Sequence, residues 1–405
     1  MIYPKLKFQL IQKFPGKEKL PLLVYLSPRT DGSLPASLSA QLEKEENAAV
    51  VAAVSFPEGL VYEGMPFEIW DVIEDALAQT GADPERVSVA GEGFGVFEFA
   101  IHYAPFLSAA VPLAGGGMAW CADQIGSLPV WAFHGSDDTV VPKIHSQEMI
   151  DHLIPFGGAH ITLIQGFGHE IEEEVFSDPA VLTFLLSMRR AGTPGMPKRR
   201  ENWELTHYLT VPKDFDPKKE SLPLIVFLHG AGERGTDLTK VKVHGVPKFF
   251  VPDPDYKGLR VITLSPQCPD NIVWNNLPLE VMALIRRIAS ETNADPKRIS
   301  LTGLSMGGYG SWELGAISPE TFCALGPVCG SGNPAYADRY TMPVYAYHGD
   351  RDGVVTPWRS RVMVDAITEK GGDARLVLCE GVDHGSWVNA YDLGDMIDWL
   401  AAQSR

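Results

Sequence analysis

The hydrophobic pattern of this chain alternates between two kinds of segment. Short runs that are almost wholly apolar, such as PLLVYLSP (Pro21–Pro28), PLIVFLHG (Pro223–Gly230), Arg298–Thr302 and Ala374–Cys379, read as strands. Between them lie stretches with helical spacing: one after Gly95, one over Leu277–Ser290, and two that end the halves of the chain, Ala180–Arg190 and Asp395–Gln403. Strands alternating with amphipathic helices predict a mostly parallel, doubly wound sheet covered on both faces, which is the α/β class. The opening MIYPKLKFQLIQKF alternates like one further strand.

The pattern is written twice. PLLVYLSP returns as PLIVFLHG 202 positions later, and DPERVSVAGEGFG (Asp83–Gly95) returns as DPKRISLTGLSMG (Asp295–Gly307) after 212. HGSDDTVV (His134–Val141) matches HGDRDGVV (His348–Val355), and GFGHE (Gly166–Glu170) matches GVDHG (Gly381–Gly385). The displacement grows by ten residues between the first two matches, so the second copy is expected to carry extra loop sequence around HGAGERGTD and the segment through Trp274. Loop added to one copy only suggests a site built there. The Gly- and Pro-rich Ala191–Pro197 lacks apolar periodicity and separates the copies. The expected organisation is a first domain over 1–194, a linker over 195–202 and a second domain over 203–405.

Composition narrows the function. A 405-residue chain with 45% hydrophobic and 21% charged residues can bury two cores. A net charge of −17 argues against nucleic acid or an anionic membrane as partner. The lone basic cluster, Lys198–Arg200, reads as a solvated linker. Five scattered cysteines encode neither a disulfide framework nor a zinc site. Buried free thiols are expected, with a Cys323–Cys329 bridge as the alternative in an oxidising compartment. No signal peptide is visible at the N-terminus, and the longest apolar stretch, Ala48–Phe56, is about half a membrane span. A cytoplasmic location is expected for the chain as written, or an extracellular one if a signal has been removed. Nothing in the sequence gives the oligomeric state.

The chemistry concentrates in the second copy. Gly303-Leu-Ser305-Met-Gly307 follows a strand and precedes a helix, a context in which a tight turn pushes a serine hydroxyl out of the backbone. A serine is a poor nucleophile until a base takes its proton, and Asp and His follow in the order Ser, Asp, His. Asp352 is preferred over Asp350 because the first copy keeps Asp138 at the matching place and has Ser136 opposite Asp350. His384, on a loop before the last helix, is the expected base. Two N–H groups must face the developing oxyanion, and those of Ala231 (or Gly232) and Met306 are the candidates. His229 reads as a residue that shapes this loop.

Together, LHGAGERG, SPQCP followed by Trp274, GLSMGGYG, HGDRDGVV and GVDHGSW resemble the polyhydroxybutyrate-depolymerase-like and feruloyl-esterase-like branch of the α/β-hydrolases, across nearly all of 203–405. The resemblance implies two tandem α/β-hydrolase-type domains and a triad of Ser305, Asp352 and His384. It also implies that Gln267, Trp274 and Trp387 lie near the substrate pocket, and that an acyl-enzyme forms without a cofactor. The implied activity is hydrolysis of short-chain, aryl or sugar esters. A peptidase of the same fold and a non-catalytic binding or scaffold protein are the alternatives. The first copy has Gly93 in place of the serine and Ser27-Pro28 in place of His229-Gly230, so it reads as a degenerate, accessory repeat. His169-Glu-Ile-Glu-Glu-Glu174 lacks the second histidine of a zinc motif and reads as a solvated acidic face.

Overall fold

The computed structural model describes residues 4–405 apart from positions 15, 17, 18, 191 and 202. Met1–Tyr3 of the expected first strand, Ala191 at the head of the Gly/Pro-rich segment and Asn202 at the end of the expected linker lie outside the described residues. The chain forms two compact units, residues 2–201 and 202–405. Among the described residues no helix is long and apolar enough to cross a membrane, and all five cysteines are buried free thiols.

The first unit contains strands β1 (Phe8–Gln12), β2 (Leu22–Leu26), β3 (Val50–Val54), β4 (Val87–Glu92), β5 (Ala109–Leu113), β6 (Val130–Gly135) and β7 (Ala159–Ile164), in the sheet order β1-β3-β2-β4-β5-β6-β7. The second contains β8 (His207–Thr210), β9 (Leu224–Leu228), β10 (Ile262–Pro266), β11 (Ile299–Leu304), β12 (Ala324–Val328), β13 (Val344–Gly349) and β14 (Ala374–Cys379). Its order, β14-β13-β12-β11-β9-β10-β8, is the same topology. In each sheet only the first strand, at one edge, runs antiparallel. The central strands LLVYL and LIVFL are buried at every position, as strands covered on both faces must be.

Register locates the extra loop of the second unit. Leu22 pairs with Val50, and Leu224 with Ile262, so the displacement between copies has reached 212 by β10. The ten added residues therefore all lie between β9 and β10. There the chain makes a turn at Ala231–Glu233, a second at Leu238–Val243 and a helix at Gly245–Phe250. Trp274 lies after the insertion, in a turn that matches Tyr62–Gly64 of the first unit. The sequence-based placement of the insertion through Trp274 is thus corrected to residues 229–261.

Helices follow the expected faces. Pro278–Glu291 starts with proline at its first position and buries Val281, Met282, Leu284, Ile285 and Ile288, while Arg286 and Arg287 face solvent. The expected helix Ala180–Arg190 is shorter, Pro179–Ser187. Beyond it Arg189 pairs with Asp83 and Glu85, and the Arg190 N–H binds the Glu85 backbone carbonyl in place of a helical acceptor. Helix Met306–Ile317 is buried at nearly every position, against β11 and β12 on one side and the Trp274 turn on another. The serine before it therefore stands on a mount fixed from several sides.

Candidate active site

Ser305 follows β11 directly, with a φ of 52° and a ψ of −117°. A non-glycine residue reaches this left-handed region only when the surrounding structure imposes it, at a cost of about 1–3 kcal/mol. Here the constraint is sheet register. Gly303 pairs with Leu228 on β9, Leu304 pairs with Val328 on β12, and the Ser305 N–H binds the Val328 carbonyl at 2.9 Å. Gly307 lets the helix start this close to β9, since a Cβ on it would lie 2.0 Å from the Leu228 carbonyl oxygen and 2.8 Å from that of His229. Gly307→Ala is therefore expected to destabilise the second unit by about 3 kcal/mol and to lower activity further by displacing both loops. Chemical denaturation paired with an ester assay checks this, and a near-neutral result on both would contradict it.

The three residues expected to act together meet at the carboxyl ends of the strands. Ser305 Oγ is 2.8 Å from His384 Nε2, and His384 Nδ1 is 2.7 Å from Asp352 Oδ2. An ionised carboxylate only accepts, so Nδ1 carries the proton and the Nε2 lone pair faces the serine hydroxyl. Asp352 is 3% exposed. Its Oδ1 accepts the N–H groups of Val354 and Val355, both at 2.9 Å, while Oδ2 also faces His348 Nε2 at 3.2 Å. Burial alone would push the Asp352 carboxyl up, but the bonds from His348, His384 and Val355 outweigh it and hold it far below the usual carboxylate range. Asp350 accepts the Gly381 N–H at 2.7 Å, joining its own turn to the histidine loop, as a turn residue should.

The oxyanion candidates lie on either side of the serine. Met306 opens its helix and Ala231 opens the turn Ala231–Glu233, positions where a backbone N–H has no intrahelical acceptor. Arg234 fixes that turn by donating to the Ala231 carbonyl at 3.0 Å and the Ile272 carbonyl at 3.2 Å. His229 is buried. Its Nε2 accepts the Cys268 N–H at 2.9 Å and its Nδ1 donates to the Gly230 carbonyl at 2.6 Å. Burial pulls its pKa down to about 4, so it stays neutral and braces the loop.

The residues expected at the pocket divide. Trp387 is half-buried, with its ring edge-on to His384 at 5.4 Å between centroids, and it borders the site. Trp274 has no exposed surface, and its indole N–H donates to the His229 carbonyl at 2.9 Å. In the first unit Tyr62 does the same for Ser27. Trp274 is therefore a post under the oxyanion loop, which corrects its reading as a pocket residue. Gln267 is 2% exposed, and its amide N–H groups hold the carbonyls of Glu233 and Asp237 at 2.9 and 2.8 Å. It shapes the loop from behind. Sequence reasoning missed Arg234 and His348. The recurrence of His-Gly at 134–135 and 348–349 was the available signal for His348.

Cys329 sits under the dyad with a φ of 40°. Its sulfur and ligand atoms of Asp352 and His384 lie within 4.8 Å of one another. Burial, and then the Asp352 charge, push the thiol far up, so it packs there protonated rather than competing with Ser305 as a nucleophile.

The first unit keeps half of this arrangement. His169 Nδ1 is 2.9 Å from Asp138 Oδ2, and Asp138 Oδ1 accepts the N–H groups of Val140 and Val141. Gly93 takes the place of Ser305, but it begins its helix without the left-handed turn. Glu92 then reaches over the helix start, accepting the N–H of Phe94 at 3.2 Å and of Gly95 at 2.7 Å. By register these are the counterparts of Met306 and Gly307. A side-chain carboxylate thus occupies the N–H groups that an oxyanion would need. It borders a cavity of about 450 Å³ shared with Arg29, His169 and Glu172.

Part of the second unit is similar to known hydrolases. The dienelactone hydrolase family model matches residues 270–394, a span that includes Ser305, Asp352 and His384. A thermostable esterase of known structure is 39% identical, covering 51% of this chain and 60% of its own, with a TM-score of 0.47. Est1E from Butyrivibrio proteoclasticus is 18% identical, covering 45% and 86%, with a TM-score of 0.36. The non-reducing polyketide synthase Preu3 of Preussia isomera is 34% identical over 71 residues, which are 16% of this chain and 3% of that protein. The chain thus spans less than two thirds of the length of the synthase and of the thermostable esterase. The second unit thus resembles the dienelactone hydrolases over residues 270–394, and the first unit has the same sheet order as the second.

Proposed function

We propose that the second unit is a serine esterase and the first an accessory copy without catalytic activity. The observation that carries the reading is the unbroken chain of hydrogen bonds from Ser305 through His384 to Asp352, on a serine already held in the strained turn. Ser305 attacks the ester carbonyl while His384 Nε2 takes its proton. The oxyanion meets the N–H groups of Met306 and of Ala231 or Gly232. His384 then protonates the leaving alcohol, and water activated by the same nitrogen releases the acid. Asp352 keeps Nδ1 protonated throughout and stabilises the imidazolium. None of these steps draws on a cofactor.

The first unit supports the accessory reading in two ways. Gly93 supplies no nucleophile, and Glu92 fills the helix-terminal N–H groups. A fluorophosphonate probe, mapped by mass spectrometry on the full chain, tests both halves of the proposal. The expected result is one adduct, at Ser305, with parallel loss of p-nitrophenyl acetate hydrolysis. An unlabelled but folded chain would favour the binding-protein alternative, and an adduct within residues 2–201 would overturn the accessory role.

A further inference from the structure

Glu233 ends the short turn that begins with the oxyanion candidate Ala231. Its Oε2 lies 3.1 Å from the point where a Cβ would stand on Gly230, and Ser305 Cβ lies 3.7 Å from that same point. The carboxylate and the nucleophile therefore approach one point beside Gly230, against which Leu304 Cδ1 also packs at 2.8 Å. Oε2 is buried and has no hydrogen-bond partner among the described residues. The nearest basic group, His229 Nδ1, is 3.9 Å away. That nitrogen spends its proton on the Gly230 carbonyl, and burial keeps the ring neutral. Arg234, the next residue, has turned back to the carbonyls of Ala231 and Ile272. Behind the same loop, Gln267 Oε1 is also buried without a donor. Its amide orientation is fixed, because the two carbonyls it faces can only accept.

We propose that Glu233 is a specificity-determining residue, which accepts a hydrogen bond from a hydroxyl carried by the ester close to its scissile carbonyl. The preferred substrates are then esters of hydroxylated acids or of polyols. The inference rests on the esterase reading above. The physical reason is asymmetric. A hydroxylated ester supplies the donor that this buried carboxylate oxygen lacks in the free protein, whereas a plain alkyl ester leaves it unpaired. A hydroxyl on the acyl side and one on the alcohol side offer the same donor, and substrate pairs separate them.

The test measures kcat/KM of the full chain on two matched pairs, p-nitrophenyl 3-hydroxybutyrate against p-nitrophenyl butyrate, and glycerol monobutyrate against propyl butyrate. The wild-type protein is expected to favour the hydroxylated member of at least one pair by about tenfold or more. Glu233→Leu should bring that ratio to one or below. Glu233→Gln, which keeps an acceptor oxygen, should fall between them and shows that the effect does not come from a damaged loop. Ratios near one in the wild-type protein, or a ratio that Glu233→Leu leaves unchanged, would overturn the role of Glu233 while leaving the esterase reading intact. Failure to hydrolyse any of the four esters would overturn both.

Discussion

Ser305→Ala is expected to abolish ester hydrolysis, lowering kcat by about 10⁵–10⁶-fold. The residual rate would come from the oxyanion N–H groups and from binding alone. The same position predicts a second, independent effect. Alanine inherits the strained φ of 52°, whereas glycine adopts it freely. Ser305→Gly should therefore be as inactive as Ser305→Ala yet more stable by about 1 kcal/mol, the low end of the strain a left-handed residue stores. Steady-state assays and denaturation of the two variants check both statements. Substantial activity in either variant would move the nucleophile elsewhere. Equal stability would mean that register, rather than the residue, absorbs the turn.

The sheet was legible in the sequence because strands buried on both faces need continuous apolar runs, and LLVYL, LIVFL and ARLVLC are such runs. The repeat also made the aspartate–histidine pair readable, since Asp138 and His169 mark the places of Asp352 and His384 although the first copy lacks the serine. Three features were not legible. The length of the insertion could be counted, but its location needed the pairing of Leu224 with Ile262. Trp274 read as a pocket residue because a tryptophan near a catalytic motif looks the same whether it faces substrate or props a carbonyl, and only its contact with His229 separates the two. The third is the role of Glu92, which stands between two glycines in the sequence. Its capping of Phe94 and Gly95 depends on the helix starting at Gly93, and nothing in the local pattern announces that shift.

Asp352→Asn is expected to be nearly as damaging as loss of the serine, through orientation rather than chemistry. The carboxylate accepts the N–H groups of Val354 and Val355 and of His384 Nδ1, and it faces His348 Nε2 at 3.2 Å. An amide offers one acceptor oxygen. If that oxygen keeps the Val354 and Val355 N–H groups, its NH₂ faces His384 Nδ1, which must then become the acceptor. The proton moves to Nε2, and the imidazole presents a donor where the serine needs a base. A fall in kcat of about 10⁴-fold follows, with the fold preserved. The pH dependence of stability separates this from simple unfolding. The folded carboxyl is held well below its unfolded value of about 3.9, so its contribution is fully present above that pH and is lost as pH falls toward the folded value. An amide has no such titration. The stability gap between wild type and Asp352→Asn should therefore be constant from about pH 5 to pH 8 and shrink below about pH 4. A gap that stays constant into the acid range would mean that Asp352 is not the carboxylate whose ionisation the histidine loop depends on.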